Sequence, residues 1–382
     1  MKIAYLLGSL NRGGTETLML DVFHNAQKQE LDVIGVYRKG GQLEPDFIQS
    51  DISMFKLTVT KNPVRYIFQL RKLLQQNNIT AVHAQQPIDA LFAWLACWRT
   101  RIKLILTFHG YDFDVQKSGL FILKFIIKRT DVNLFVSKAQ REYFEQKYSL
   151  TPEKQQVVYN GVSFEKLDTI LDYHISNLRE ELHITSDTLL LGTVGNFNSV
   201  RDQLTLCRFL KLLDKDKIDF HFIFVGKRIE ATPDLYNECF NFCQKNGLST
   251  KVSFLGSRND VPAILHQLDA FLYATNHDTF GIALVEAMAV GVPVFVNDWQ
   301  VMTEITDSGK YATLYKTGDE VDLLQQFMVF LQNKETYIDK AQEAACFVRE
   351  RYSIEKHIEN LKRVYTSDKR SVISDKRLVI NK

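Results

Sequence analysis

A stretch near the start of the chain decides the fold, and it reads Lys2-Ile3-Ala4-Tyr5-Leu6-Leu7-Gly8-Ser9-Leu10-Asn11-Arg12-Gly13-Gly14-Thr15. Its first half is a short apolar run typical of a buried strand, and a glycine-rich turn then leads into a helical pattern from about Glu16. The same order returns at 188–201, where an apolar run is followed by Gly195 and Arg201. The chain therefore contains twice the strand, glycine turn and helix with which doubly wound α/β domains begin.

Short apolar runs alternate with longer helical patterns along most of the chain. We predict strands at 2–7, 32–37, 79–84, 103–109 and 132–136, and again at 188–194, 220–225, 251–255, 270–275 and 292–296. This alternation predicts two open parallel sheets with helices on both faces, and 382 residues suit two cores better than one. Ligands of such sheets bind beyond the carboxyl ends of the strands, so we expect a site in a cleft between two domains.

A charged stretch without strand patterns, 163–186, marks the boundary between the domains. We predict an N-terminal Rossmann-like domain at 1–165 and a C-terminal one at 166–349. A helix at about 350–366 is expected to pack back across the seam onto the first domain. Residues 367–382 are expected to form a mobile tail.

Composition and charge argue against several classes of protein. Apolar residues make up 45% of the chain and charged residues 24%, and the net charge of +2 is too small to indicate a nucleic-acid partner. The five cysteines have no metal-ligand spacing, so no metal is expected. We find no signal-peptide pattern and no apolar run of membrane-spanning length, which favours a reducing cytoplasm.

The two glycine turns are candidates for phosphate contact. Backbone amides around Gly14 could approach a phosphate, and Arg201 could offer a diphosphate a forked pair of donors. The first turn lacks the lysine of a P-loop, and neither turn has the three-glycine dinucleotide pattern, so an NTPase or an oxidoreductase has little support. At the first loop a plain tight turn with positive φ is as well supported as phosphate contact, and taken alone Arg201 is better interpreted as a solvated surface arginine.

The stretch His277–Val294 is the most informative about function. From Phe280 to Val296 its only charged residue is Glu286. A helix that is apolar on all sides is buried, and a buried carboxylate needs strong donors, which the hydroxyls of a sugar could supply. Asp278 precedes this helix and its expected free amides at Phe280, Gly281 and Ile282, and is either an N-cap or a ligand-binding residue.

A histidine ends one of the predicted strands of the first domain. In Thr107-Phe108-His109-Gly110 the imidazole of His109 lies at the carboxyl end of the strand, where ligands bind. A catalytic histidine and a hydrogen-bonded structural one are equally compatible with this position. His83 and Asp112 are weaker candidates of the same kind.

Taken in order, these residues resemble the family 4 glycosyltransferases of the GT-B fold over nearly the whole chain. The family signature is an acidic residue, seven others and then Glu-Ala-Met-Ala, which here runs from Asp278 to Glu286 and on through Ala289. Further family-like pieces are Gly13-Gly14-Thr15-Glu16, His109-Gly110, Asn160-Gly161-Val162 and Val225-Gly226. The resemblance implies a retaining hexosyltransferase that uses a nucleotide-diphosphate-sugar donor and neither a metal nor another cofactor. It also implies a saccharide or lipid-linked saccharide acceptor in the synthesis of capsule, exopolysaccharide or lipopolysaccharide.

The resemblance also implies roles for individual residues. Glu286 would hold the donor ribose, and Asp278 with the amides of Phe280, Gly281 and Ile282 would hold the sugar and the diphosphate. Gly14 would approach the phosphates and Arg258 would lie against the base. His109 would contact the transferred sugar, which makes His109 and Asp278 the catalytic candidates.

Two positions depart from the family pattern. The family usually clasps the diphosphate with Arg and Lys, where this chain has Asn196 and Arg201, and its first signature acid is usually Glu rather than Asp278. Asn196 in place of the arginine leaves a noncatalytic nucleotide-sugar-binding subunit open as an alternative, and a nucleotide-sugar epimerase of the GT-B fold is the nearest enzymatic alternative.

Two basic stretches of the first domain carry interleaved aromatic residues. Residues 61–104 contain seven Lys or Arg against the single acid Asp89, and residues 117–129 combine cations with large apolar side chains. Such stretches either lie on an anionic bilayer, here the cytoplasmic face of the inner membrane, or form core-facing helices with a solvated basic face.

Overall fold

The computed structural model describes residues 1–113, 115–168, 177–229 and 234–367, and the tail predicted to be mobile lies outside them from 368 onward. The chain forms two compact units. Unit 1 is Met1–Gly161 together with the segment that starts at Ile354, and unit 2 is Val162–Ser353. The chain thus passes between the units at 161/162 and 353/354, where the sequence analysis placed the two boundaries at 165/166 and 349/350.

Unit 1 is built on a seven-stranded parallel sheet in the order β3-β2-β1-β4-β5-β6-β7. Its strands are β1 (Lys2–Ser9), β2 (Asp32–Lys39), β3 (Met54–Lys56), β4 (Ala81–Ala84), β5 (Lys103–Phe108), β6 (Val132–Phe135) and β7 (Gln155–Val157). Its first helices are α1 (Gly14–Ala26), α2 (Glu44–Ile48), α3 (Pro63–Gln76), α4 (Pro87–Ala96), α5 (Lys117–Ile126) and α6 (Lys138–Tyr148). Apolar clusters cover both faces of the sheet, as the continuous apolar strands require.

Unit 2 repeats this plan with six parallel strands in the order β10-β9-β8-β11-β12-β13. Its strands are β8 (Leu189–Val194), β9 (Phe220–Val225), β10 (Val252–Gly256), β11 (Ala270–Tyr273), β12 (Val294–Asn297) and β13 (Thr313–Tyr315). Its helices are α7 (Glu165–Asp168), α8 (Leu178–Glu181), α9 (Gln203–Lys215), α10 (Leu235–Lys245), α11 (Val261–His266), α12 (Ile282–Ala289), α13 (Gln300–Ile305), α14 (Glu320–Gln332) and α15 (Lys334–Arg351). The predicted α/β class with two doubly wound parallel sheets is confirmed.

The last described helix, α16 (Ile354–Thr366), belongs to unit 1. Helices α15 and α16 are separated at Tyr352–Ser353, near the start of the helix predicted at about 350–366. At this break the carbonyl of Tyr352 accepts from the amide of Val162. Beyond this break the apolar face of α16 joins the core cluster of α1, β1 and β2.

A buried polar network fastens α16 to the sheet of unit 1. The Tyr365 hydroxyl lies 2.5 Å from that of Tyr5 and 2.7 Å from Nδ1 of His83, whose Nε2 lies 2.6 Å from the Thr107 hydroxyl. Nearer the start of α16, Nδ1 of His357 donates to the carbonyl of Tyr159 at 2.7 Å. Burial lowers the pKa of both histidines, that of His357 to about 4, so both are neutral in the folded protein near pH 7.

Acid should therefore destabilise the protein. The unfolded chain protonates His83 and His357 near pH 6.5, so the stability they contribute is complete above pH 6.5 and is lost as the pH falls towards 4. Each histidine lowers the free energy of unfolding by up to about 1.4 kcal/mol per pH unit. Urea unfolding at a series of pH values measures this slope. We expect a shallower slope for His357→Asn and an unchanged one for His24→Asn, on the exposed side of α1; equal slopes in all three proteins would contradict the prediction.

Candidate active site

Most of the predicted residues of unit 2 lie at or just beyond the carboxyl ends of β8 and β11, where the strand order reverses, and Arg258 follows β10. Open α/β sheets bind their ligands at this point. The loop after β8 carries Arg201 and the loop after β11 carries Asp278. The two loops pair through an antiparallel bridge between Arg201 and Thr275, and the Thr275 hydroxyl donates to the carbonyl of Val200 at 2.7 Å.

The Arg201 side chain is only 16% exposed, so the solvated arginine left open by the sequence is wrong. Its guanidinium lies over the ring of Tyr273, 4.3 Å from the centroid, and its Nη1 is 3.0 Å from Oδ2 of Asp278. Burial lowers the pKa of Arg201 and the neighbouring Asp278 offsets part of that effect, so the group stays charged. Despite the short ion-pair distance, Nη1 has no aligned hydrogen-bond acceptor. A buried, charged and incompletely satisfied guanidinium is suited to an anionic ligand.

Asp278 caps the turn that precedes α12. Its Oδ1 accepts from the amides of Thr279 at 2.7 Å and Phe280 at 3.3 Å. The sequence analysis expected a free amide at Phe280. In the structure this amide donates to Asp278 instead. Oδ2 accepts from the Tyr273 hydroxyl at 2.5 Å, so both oxygens of the carboxylate are engaged.

Gly281 opens α12 with φ of +84°, a conformation that side chains with a Cβ rarely adopt. The amides of Gly281 and Ile282 lie at the N-terminus of α12, which is the positive end of the helix dipole. Ile282, Glu286 and Val290 recur every four residues and form the partly exposed side of the helix.

The exposure of Glu286 corrects the sequence prediction. Seven of the eight residues of α12 are apolar, as predicted, but Glu286 is half-buried on the partly exposed stripe rather than enclosed. Glu286 is thus partly exposed and stands about 6 Å along the helix axis from Ile282. This spacing suits a ligand whose anionic group lies at the helix N-terminus and whose hydroxyls lie one turn farther on.

Asn196 serves to join two loops of unit 2. Its Oδ1 accepts from the amide of Lys227 at 2.9 Å, which fastens the loop after β8 to the loop after β9. Gly226 permits this approach, because a Cβ there would lie 2.1 Å from the carbonyl oxygen of Gly195. The structure thus gives Asn196 a role in shaping the loop, and its predicted contact with the donor stays a prediction.

Arg258 is occupied by two carboxylates. It donates to Asp260 at 2.9 and 2.8 Å and to Glu181 at 2.7 and 3.1 Å. These hydrogen bonds, to Asp260 first and then to Glu181, raise the pKa of Arg258. The guanidinium therefore braces the loop after β10 against α8, and its predicted position against a nucleotide base stays a prediction.

In unit 1 the glycine loop after β1 is extended rather than left-handed. Gly13 has φ of −155°, and Gly14, the exposed first residue of α1, is not among the positive-φ glycines. The tight turn with positive φ left open by the sequence is therefore wrong. The loop presents the N-terminal amides of α1 at the carboxyl edge of the sheet, which agrees with phosphate contact as the remaining interpretation.

His109 is held in place at the end of β5. Its Nε2 lies 2.7 Å from Oε1 of the buried Gln85, and since a carbonyl oxygen only accepts, Nε2 carries the proton. Burial, with repulsion from His357 second, lowers the pKa of His109 to about 3, so the ring is neutral near pH 7. Gln140 supports the next residue by donating to the carbonyl of Gly110 at 3.0 Å.

The two weaker candidates of unit 1 are structural. His83 lies inside the polar network under α16. Asp112 is buried and accepts from Tyr143 at 2.6 Å, from Lys147 at 2.9 Å and from Tyr148.

Three residues around these sites were not found from the sequence. Tyr273 lies in an apolar strand pattern that indicates only core packing, and Trp299, whose indole donates to the carbonyl of Asp278 at 2.9 Å, lies in no motif. Gln85 gave a usable signal, because a polar residue directly after a buried strand points to a role at the edge of the sheet.

Comparisons with known proteins agree with this architecture. Residues 12–166 match the family model Glycosyltransferase Family 4, and residues 174–346 match Glycosyl transferases group 1. The solved structure of Anabaena HepE in complex with UDP and glucose superposes with a TM-score of 0.84 at 19% identity, covering 96% of this chain and 100% of that one, which shows the GT-B fold. The chain belongs to the family 4 glycosyltransferases and is a transferase.

Two curated relatives cover most of the chain. N-acetyl-alpha-D-glucosaminyl L-malate synthase of Bacillus anthracis is 26% identical over 310 residues, which are 78% of this chain and 77% of that protein. UDP-Gal:alpha-D-GlcNAc-diphosphoundecaprenol alpha-1,3-galactosyltransferase of Escherichia coli is 23% identical over 313 residues, 78% of this chain and 79% of that protein.

Replacing Arg201 should remove an anion site without unfolding unit 2. We expect inorganic pyrophosphate to raise the melting temperature of the wild type, and Arg201→Gln to lose most of that increase because the charge that faces the anion is gone. Arg208→Gln is the control, since Arg208 lies on α9 and pairs with Glu320 of α14. Differential scanning fluorimetry measures both variants, and an equal pyrophosphate response in Arg201→Gln and wild type would contradict the assignment.

Proposed function

We propose that this enzyme transfers a hexose, with retention of anomeric configuration, from a nucleotide-diphosphate-sugar to a saccharide or lipid-linked saccharide acceptor in the assembly of a cell-surface polysaccharide. The observation that carries the proposal is the arrangement in unit 2 of buried Arg201, the N-terminus of α12 and partly exposed Glu286. A diphosphate fits the first two, and ribose hydroxyls fit the carboxylate one turn farther along the helix.

The same groups would supply the chemistry. In the transfer step the bond between the sugar carbon and the diphosphate oxygen breaks and negative charge develops on that oxygen. The oxygen of the acceptor hydroxyl bonds to the same sugar carbon, and its proton passes to the leaving diphosphate. Arg201 and the first amides of α12 would stabilise the developing charge. We propose that they do so without a metal ion, as the family resemblance implies, and that Asp278 and His109 contact the transferred sugar.

The first nucleotide to test is uridine diphosphate. Anabaena HepE was solved with UDP and glucose, and the Escherichia coli relative is named for UDP-galactose. The latter name also gives a diphosphoundecaprenol-linked acceptor, which supports a lipid-linked saccharide as the acceptor proposed here. An epimerase would convert the donor without any acceptor, so product analysis with and without acceptor distinguishes the two activities.

Glu286→Ala should weaken donor binding through the loss of hydrogen bonds from the ribose to a charged group. We expect the Kd for the preferred donor to rise at least about tenfold. Titration calorimetry with UDP-, GDP-, ADP- and CMP-sugars measures the Kd and identifies the base. Glu335→Ala, an exposed acid at the start of α15, is the matched control and should leave the Kd unchanged. Absence of binding by the wild type to every nucleotide sugar would refute the proposed function.

We further propose that unit 1 approaches an anionic bilayer with the outer surface of α3, α4 and α5. These helices pack side by side, and Trp94 of α4 contacts both Trp98, at 5.3 Å between ring centroids, and Phe125 of α5, at 5.4 Å. The surface exposes large apolar side chains between cations. Its members are Val64, Arg65, Phe68, Lys72, Trp98, Arg99, Phe121, Lys124 and Lys128, and we name it the basic aromatic surface.

Charge complementarity supports a bilayer as the occupant of this surface. Among the described residues of 52–129 the two acids are Asp89 and Asp112, and both are buried. Phe68 and Phe121 are 68% and 73% exposed, so each can enter the headgroup region while neighbouring cations meet anionic lipids. No helix in the described part of the chain is long and apolar enough to cross a membrane.

Vesicle flotation tests the membrane proposal. We expect the wild type to float with vesicles of phosphatidylglycerol and phosphatidylcholine and not with phosphatidylcholine alone, since each cation near an anionic surface contributes about 1 kcal/mol. Phe68→Ser/Phe121→Ser should reduce flotation several-fold. Val329→Ser/Ile338→Ser removes two exposed apolar side chains from unit 2 and is the matched control. Equal flotation of the two double variants would contradict a role for the basic aromatic surface.

A further inference from the structure

Tyr273, the last residue of β11, contacts both Arg201 and Asp278. Its hydroxyl donates to Oδ2 of Asp278 at 2.5 Å, and its ring lies beneath the Arg201 guanidinium. The side chain is 1% exposed, so the ring is fixed by the core of unit 2. The main chain is fixed as well, because the carbonyl of Tyr273 accepts from the buried Tyr315 hydroxyl at 2.9 Å.

Asp278 is held from every side in this arrangement. One carboxylate oxygen accepts from two backbone amides and the other contacts Tyr273 and Arg201. Its own amide donates to the Thr275 hydroxyl at 3.0 Å, and its carbonyl accepts from Trp299. The Tyr273 hydroxyl thus provides this carboxylate with a neutral side-chain donor.

The space beneath the carboxylate is filled by the same hydroxyl. A Cβ built on Gly281 would lie 3.4 Å from Oη of Tyr273, so the hydroxyl lies directly under the start of α12. A glutamate at position 278 would carry its carboxylate about 1.5 Å farther, into the volume of this oxygen. The shorter acid at 278 and the tyrosine at 273 are therefore matched in length.

We propose that Tyr273 is the positioning residue of the donor site: it orients the Asp278 carboxylate and the Arg201 guanidinium for the sugar and diphosphate, and it makes aspartate rather than glutamate the acid that fits at position 278. This inference rests on the proposed function for the identity of the ligand. It explains why the chain departs from the family at this acid, since the hydroxyl of Tyr273 occupies the place that the additional methylene would need.

A double-variant cycle tests the match. Tyr273→Phe removes the hydroxyl and Asp278→Glu lengthens the acid; we expect each to raise the Kd for the preferred nucleotide sugar about tenfold. In Tyr273→Phe/Asp278→Glu the longer carboxylate fills the space that the hydroxyl has left, and we expect the Kd to return to within about threefold of the wild type. Additive losses in the double variant would overturn the proposal.

Two further measurements separate this test from that of the function. Tyr5→Phe removes a buried tyrosine hydroxyl of unit 1, which bonds Tyr365, and it should lower the melting temperature without changing the Kd. The same cycle measured by urea unfolding needs no ligand, and there too the double variant should lose less stability than the two single variants together. Additive stability losses would overturn the pairing of the two residues, whereas failure of the wild type to bind any nucleotide sugar would refute the proposed function.

Discussion

The candidate site of unit 2 depends on the pairing of β8 with β11, where the strand order of this unit reverses. The strands meet at Leu191 with Ala270 and Gly192 with Phe271, and the loops beyond them continue the contact. The amide of Asp202 donates to the carbonyl of Ala274 at 3.1 Å, and the amide of Asn276 to that of Val200 at 2.8 Å. These bonds hold Arg201 against Asp278, two residues that are far apart in the chain.

The polar groups of the two units are placed by different means. In unit 2 a buried cation meets an anion, and a tyrosine fixes both. In unit 1 neutral histidines prevail, because burial lowers the pKa values of His83, His109 and His357 and each ring is hydrogen-bonded in one orientation. A neutral imidazole can be held by hydrogen bonds in one orientation without adding a charge to the core of unit 1.

Most strands were predictable because buried parallel strands are continuous apolar runs, and all ten predicted strands are present within a few residues. The three that were missed, β3, β7 and β13, have three residues each and lie at sheet edges. An edge strand pairs on one side only and needs no long apolar run, so its sequence carries little pattern. Among the candidate site residues, Arg201, Asp278 and Glu286 were named from motif and charge. The exposure of Glu286 and the occupied amide of Phe280 could not be predicted, because each depends on what packs around α12.

The sequence by itself determined the α/β class, the two parallel sheets and the family, because strand periodicity, glycine turns and the spacing from Asp278 to Glu286 are properties of neighbouring residues. Only the tertiary structure decided that Arg201 is buried against Asp278, that Arg258 is paired with two carboxylates, and that Tyr273 contacts both Arg201 and Asp278. The physical reason is that the charge state, exposure and partners of a side chain are set by groups distant in the chain, which strand pairing brings within hydrogen-bond distance.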